Sequence, residues 1–235
     1  PTTLLGMCDA SIGGKTGIDH GLLKNIVGTF ALPEKIFLYP KFLQTLPYTE
    51  LRSGFAEMLK HGLIADKNHW NDLISLNELS AEHLAPFIGR SMEIKQAVVE
   101  KDFKEQNFRK TLNFGHTVGH AVESLFMHKG QPIPHGEAIA IGMICEIKLA
   151  ELSEIISERD ASTAMEGIRK YFPYINIGDF KNMDILKLMM NDKKNAGGAI
   201  SFSLITKIGN CGYGITVETD KINTCLDYYK FNLNK

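Results

Sequence analysis

The sequence predicts an α/β chain in two parts: the end of an α/β unit over residues 1–46, then a mainly α-helical unit over residues 47–235 with a small β-hairpin near its C-terminus. Three observations carry this reading. The opening stretch, PTTLLGMCDASIGGKTGIDHGLLKNIVGTF, is rich in Gly, Thr and Asp, so it reads as loop with short extended pieces. From about Leu46 onward the apolar residues follow a helical pattern between recognisable end signals. Near the end, AISFSLITKIGNCGYGITVE alternates around Gly-Asn and Gly-Tyr-Gly, as a hairpin does.

The elements follow in order. KIFLYP, ending at Pro40, is a short apolar run and predicts a buried strand. PYTELRSGFAEMLKHGLI has Pro47 at its start and Gly62 near its end, which predicts a helix between them. SAEHLAPFIGRSMEIKQAVVEKD predicts another, with Ser80 as N-cap. Two more, near Asn113–Met127 and Gly136–Leu152, flank the loop HKGQPIPH, and further helices are expected at Asp160–Tyr171 and Met183–Asn191. The chain has no internal repeat and no low-complexity tract.

Composition narrows the class. With 235 residues, 44% of them hydrophobic and 23% charged, the chain suits a soluble globular protein with a sizeable core. A net charge of −1 gives no global field to steer nucleic acid or an anionic membrane, although local basic clusters can still serve an anionic small molecule. Cys8, Cys145, Cys211 and Cys225 form no CxxC pair and do not read as a secreted disulfide framework, which leaves free thiols in a reducing cytosol. No apolar run has bilayer-spanning length, and no signal-peptide pattern opens the chain. Pro1 in place of Met reads as a processed N-terminus or as part of a longer chain.

The chemistry-bearing motifs begin with NFGHTVGH. His116 and His120 stand four residues apart, one helical turn from each other on one face. Such a pair can give two ligands to one metal ion, or one ligand beside one acid–base group. If the helix reaches back to Arg109, then Arg109, Asn113, His116 and His120 share that face. A polar stripe usually faces solvent, but this one lacks the Lys/Glu mix of exposed faces. Gly115 and Gly119 also flank its histidines, at roughly 1 kcal/mol of helix propensity each. Glycine there suits close approach of another backbone or a ligand.

In GFAEMLKHG, Glu57, Lys60 and His61 fall at i, i+3 and i+4, which taken alone is an ordinary surface Glu–Lys pair. His135, just ahead of a strongly apolar helix in PHGEAIAIGM, would complete a two-His, one-carboxylate set with His116 and Glu57, the pattern of a catalytic zinc with one open position. There is no HExxH. DASIGGKTG is not a P-loop, because Asp9 occupies the place of the first glycine; it is a glycine-rich turn that brings Lys15 near Asp9. Lys193 and Lys194 in NDKKNAGG are, by themselves, two solvated lysines.

Taken together, the long opening motif, LPYTELRSGFAEMLKHGLI, RKTLNFGHTVGHAVES, HGEAIAIGM and NDKKN resemble, in order and spacing, the 3-dehydroquinate synthase family over nearly the whole chain. The resemblance implies that residues 1–46 are the remnant of a Rossmann-like NAD-binding domain whose pyrophosphate loop lies upstream, and that residues 47–235 bind metal and substrate. It implies zinc, with cobalt possible, on Glu57, His116 and His135, and acid–base work for His120. Asp9, Lys15 and Asn25 would stand where nicotinamide meets substrate, and Thr2, Thr3, Lys24 and Thr45 against the cofactor. Lys60, Lys95, Arg109, Asn113 and Lys193 would hold the substrate's carboxylate, hydroxyls and phosphate, with Lys194 the alternative to Lys193. The family is commonly dimeric and cytoplasmic, with an arginine from the neighbouring subunit that would lie upstream of Pro1.

The implied reaction converts 3-deoxy-D-arabino-heptulosonate 7-phosphate to 3-dehydroquinate and phosphate, a step of aromatic amino acid biosynthesis in the shikimate pathway. It proceeds by transient oxidation with NAD, elimination, reduction and aldol closure. A phosphorylated sugar acid explains the cations in a chain of no net positive charge. Three other readings stand beside it: another sugar phosphate cyclase, a metal-dependent polyol dehydrogenase that releases NADH, and a fragment that binds zinc but holds NAD poorly.

Overall fold

A computed structural model describes residues 1–20, 23–190 and 200–232, and the side chains of all of these except 19, 20, 23–26 and 232. The opening segment contains one π-helical turn, Gly6–Ala10, and a short antiparallel ladder of β1 (Ile18–His20) with β2 (Leu23–Val27). Leu4, Met7 and Cys8 are fully buried in the same core as the helices, and the π-helical turn packs on the first and third of them.

KIFLYP forms no strand. Phe37 is 80% exposed, and the chain passes from there into a 3-10 turn at Pro40–Thr45. An apolar run becomes a strand only where neighbours take up its N–H and C=O groups, and the β1–β2 ladder does not accept it as a third member.

The helical body contains α1 (Tyr48–Ala65), α2 (Lys67–Ser75), α3 (Ala81–Lys101), α4 (His116–His128), α5 (His135–Leu152), α6 (Glu158–Arg169) and α7 (Asn182–Met190). The hairpin β3 (Ser201–Lys207) and β4 (Asn210–Thr216) follows, then α8 (Thr219–Asn232). Ser80 Oγ accepts from the His83 N–H at 3.3 Å, the cap its sequence predicts for α3. α1 runs on past Gly62 to Ala65, and α2 and α8 are additions to the elements expected.

α5 is the central helix. It is buried on nearly all sides, touching α1, α4, α6, α8 and β3, which is why its sequence is apolar all round and not amphipathic. α4 lies along it at short range.

The helix carrying the histidines does not reach back to Arg109. Phe108–Asn113 is a separate 3-10 turn, and Gly115 breaks the path with φ 79° before α4 begins at His116. Only glycine takes that left-handed conformation cheaply. Arg109 and Asn113 therefore do not share a helix face with His116 and His120.

Candidate active site

Glu57, Lys60 and His61 are not a surface group. They are 1%, 2% and 0% exposed, on the buried side of α1. Burial alone would raise the Glu57 carboxyl, but the Lys60 ammonium, ion-paired with it, holds it below the usual range. Burial pushes His61 down to about 3, helped by Lys60, so His61 is a neutral ring 3.8 Å from Asp9 Oδ1.

Two histidines converge on Glu57 from other helices. His116 at the start of α4 and His135 at the start of α5 each place Nε2 3.5 Å from Glu57 Oε1, a buried oxygen with no hydrogen-bond partner among the described residues. Ligands about 2.1 Å from a tetrahedral zinc lie about 3.4 Å from one another, so this separation suits one ion held among the three. The outward nitrogens are also engaged. His116 Nδ1 lies 3.1 Å from the Phe114 carbonyl, and His135 Nδ1 lies 3.4 Å from Glu123 Oε1. Such outer partners fix the ring and its tautomer so that Nε2 faces the metal position.

Burial lowers His135, but Glu123 and Glu57 outweigh it and raise the ring to about 9. Two carboxylates pulling on one imidazole mark a place that favours a cation. His116, by contrast, is kept neutral by burial and by Lys60. The donor set, its spacing and its orphaned oxygen all fit a divalent ion of the zinc type. His120, Glu123 and His135 form a second possible ligand group, but Glu123 faces the Nδ1 side of His135, away from Glu57. His120 stands one turn along α4, its ring centroid 5.0 Å from that of His116 and 6.0 Å from that of His135.

A polar wall adjoins this set. Asp9, on the π-helical turn, receives Lys95 from α3, with Nζ 2.7 Å from Oδ1 and donating to the Asp9 carbonyl at 2.5 Å. Burial would raise Asp9, but Lys95 and then Lys60 hold its carboxyl well below the usual carboxylate range. Lys15 pairs with Glu105, not with Asp9, and Asn113 Nδ2 donates to the same Glu105 carboxylate at 2.8 Å. Arg109, 3% exposed, donates to the Phe103 carbonyl at 2.7 Å and to the Gly13 carbonyl at 3.0 Å, tying the glycine-rich turn to the helical body.

Glu105 and Glu123 are thus parts of the site that the sequence reading did not find. Glu105 had one signal, its place between Asp102 and Arg109 in a polar loop, where it adopts φ 57°. Thr3 Oγ1 accepts from the Gly6 N–H at 3.0 Å, Thr45 Oγ1 donates to the Phe42 carbonyl at 3.4 Å, and Thr2 is exposed. Lys24 and Asn25 lie on β2 with side chains outside the described residues, and Lys193 and Lys194 lie outside them altogether.

Comparison with known proteins decides the family. Residues 54–195 match the family model described as 3-dehydroquinate synthase C-terminal, and residues 1–53 match 3-dehydroquinate synthase N-terminal. The chain belongs to the 3-dehydroquinate synthase family. Among relatives, the 3-dehydroquinate synthase of Parabacteroides distasonis is 40% identical over 98% of this chain and 66% of its own length. That of Sulfolobus acidocaldarius is 40% identical over 89% of this chain and 61% of its own. The chain therefore spans less than two thirds of these 3-dehydroquinate synthases. Among solved structures, 2-epi-5-epi-valiolone synthase from Streptomyces hygroscopicus, with NAD+ and Zn2+ bound, superposes with a TM-score of 0.86 at 25% identity, over 97% of this chain and 64% of that one. A 2-deoxy-scyllo-inosose synthase shares the fold with a TM-score of 0.80 at 24% identity, over 96% of this chain and 64% of that one. No helix among the described residues is long and apolar enough to cross a membrane.

Proposed function

We propose that this chain is the metal- and substrate-binding portion of a 3-dehydroquinate synthase, acting on 3-deoxy-D-arabino-heptulosonate 7-phosphate to give 3-dehydroquinate and phosphate. The observation that carries the reading is the convergence of His116 and His135 on Glu57 Oε1, each at 3.5 Å, in a chain of this family. Residues 1–46 are read as the end of the NAD-binding domain and residues 47–235 as the metal and substrate domain. The valiolone synthase, which carries NAD+ and Zn2+, supports both cofactors here.

Glu57, His116 and His135 would hold the zinc, and Asp9, Lys15 and Asn25 would border the nicotinamide, with Thr2, Thr3, Lys24 and Thr45 on the cofactor side. Bound there, zinc would supply Lewis acidity and orientation, and NAD would supply a reversible hydride acceptor. The chain's own residues do the rest. Lys60, Lys95, Arg109 and Lys193 supply positive charge for the carboxylate and phosphate, and Asn113 a neutral donor for a hydroxyl. His120, within one turn of the metal position, takes the proton from the hydroxyl being oxidised and returns it on reduction. Lys15, Lys60 and Lys95 each rest against a carboxylate, so an arriving polyanion exchanges partners with Glu105, Glu57 and Asp9 and does not meet bare cations.

The test is phosphate release from 3-deoxy-D-arabino-heptulosonate 7-phosphate with added zinc and NAD far below the substrate concentration, using the chain alone and a longer protein that extends it to the full length of its relatives. Many turnovers per NAD are expected from the longer protein. Turnover of a different sugar phosphate would make it another cyclase, and net NADH accumulation would make it a dehydrogenase.

A further inference from the structure

The middle of α5 carries a carboxylate that the apolar character of the helix does not explain. Glu146 is 0% exposed. Its Oε2 accepts the Gly115 N–H at 2.6 Å, and its Oε1 accepts the Val118 N–H at 3.1 Å. Gly115 is the N-cap of α4 and Val118 its third residue. In an ordinary capping box two side chains of the helix itself satisfy these two donors. Here neither Gly115 nor Val118 can do so, and one carboxylate from the neighbouring helix serves both, facing the positive end of the α4 dipole.

The consequence lies on the other side of one bond. The Gly115 N–H and the Phe114 C=O belong to the same planar peptide group and point in opposite directions. That carbonyl is the partner of His116 Nδ1 at 3.1 Å. A carbonyl only accepts, so the His116 proton sits on Nδ1 and the lone pair of Nε2 faces Glu57. Glu146, the Phe114–Gly115 peptide and His116 therefore form one hydrogen-bonded line ending at the metal position. Glu123 does for His135 by direct contact what Glu146 does for His116 across a peptide group.

Resting on the metal-site reading above, we propose that Glu146 is a positioning residue, holding His116 through the Phe114–Gly115 peptide in the tautomer and orientation that present Nε2 to the ion. Glu146→Gln keeps the shape but can accept only one of the two N–H groups. In wild-type protein, nitrogen NMR of the metal-free chain should show His116 as a single Nδ1–H tautomer. In Glu146→Gln the tautomers should mix, and zinc affinity, measured by competition with a chromophoric chelator, should fall about 10- to 100-fold. Ile168→Ala, a cavity in α6 far along the chain from α4, is the control for stability: it should lower Tm and leave zinc affinity unchanged.

An unchanged tautomer and affinity in Glu146→Gln would overturn the proposal. So would an equal affinity loss in Ile168→Ala, since that would make the effect one of general stability. A wild-type chain that binds no zinc, yet locks His116 in a way Glu146→Gln unlocks, would overturn the metal reading and leave the positioning intact.

Discussion

Gly142→Ala should damage the metal site without touching a ligand. Gly142 lies on α5 where α4 crosses it: a Cβ built there falls well inside contact with the Gly115 carbonyl and 2.7 Å from the Gly119 nitrogen. Both are backbone atoms that cannot rotate away. Bringing the Gly119 contact out to an ordinary 3.4 Å requires α4 and α5 to part by about 0.7 Å, and the Gly115 contact demands more. Overpacking of this kind costs about 1–3 kcal/mol, which in a chain of this size lowers Tm by roughly 2–12 °C. α4 carries His116 and α5 carries His135, so the same wedge changes their separation by more than the roughly 0.2 Å that a metal site tolerates. The assay is a thermal melt with and without zinc, paired with a zinc titration: wild type should gain Tm from zinc and Gly142→Ala should gain little. Gly89→Ala is the reference, because nothing lies within 4 Å of its added Cβ in α3 and the change should be neutral or stabilising. If Gly142→Ala melts like wild type and keeps its zinc affinity, the helix contact described here is wrong.

Other outcomes follow from the same geometry. Glu57→Ala, His116→Ala and His135→Ala should each lose zinc, whereas His120→Ala should keep it and slow turnover; equal zinc loss in all four, read by titration, would erase the division of roles. Glu105→Ala removes the shared partner of Lys15 and Asn113, so it should raise mobility of the glycine-rich turn, seen as faster amide exchange at Lys15 and Thr16, with zinc affinity unchanged. His69, buried against Ser91 Oγ at 2.9 Å, is pushed by burial down to about 4. Its folded-state value lies below its unfolded one, so its contribution is complete above about pH 6.5 and is lost as pH falls toward 4, amounting to about 2–3 kcal/mol. Urea unfolding of wild type and His69→Gln across that range should show the acid-dependent difference between them disappear in the variant.

Much of the helical body is legible in the sequence because its signals are local. Ser80 caps α3 by its own hydroxyl, and Gly209, at φ 89° in the two-residue turn before Asn210, closes the β3–β4 hairpin, so both can be read from a few neighbouring residues. What fails is non-local. KIFLYP has the composition of a strand, but only a sheet partner would make it one. Glu57 and Lys60 have the spacing of a surface pair, and only packing of other elements over α1 buries them. The ligand triad is legible as a donor inventory and not as a geometry: 78 positions separate Glu57 from His135 in the sequence, and nothing within either motif states that they meet. Glu105 and Glu123 escaped notice because each acts through a residue brought to it by the fold.

The placement of these residues follows from one helix. α5 starts with His135, and the Gly136 N–H that follows donates to Ser53 Oγ at 2.9 Å, four residues before Glu57 on α1. Eleven positions on from His135, Glu146 grips the start of α4 and with it His116. All three proposed ligands are therefore referenced to α5: one belongs to it, one lies on a helix linked to it by a hydrogen bond from its first turn, and one is capped by it. A helix buried on nearly all sides is the most rigid object available in a domain of this size, because any displacement disturbs every neighbour at close packing. A site that must hold three donors to within a few tenths of an ångström gains most from being built on such an element, and the continuous apolar sequence of α5 is the condition for it.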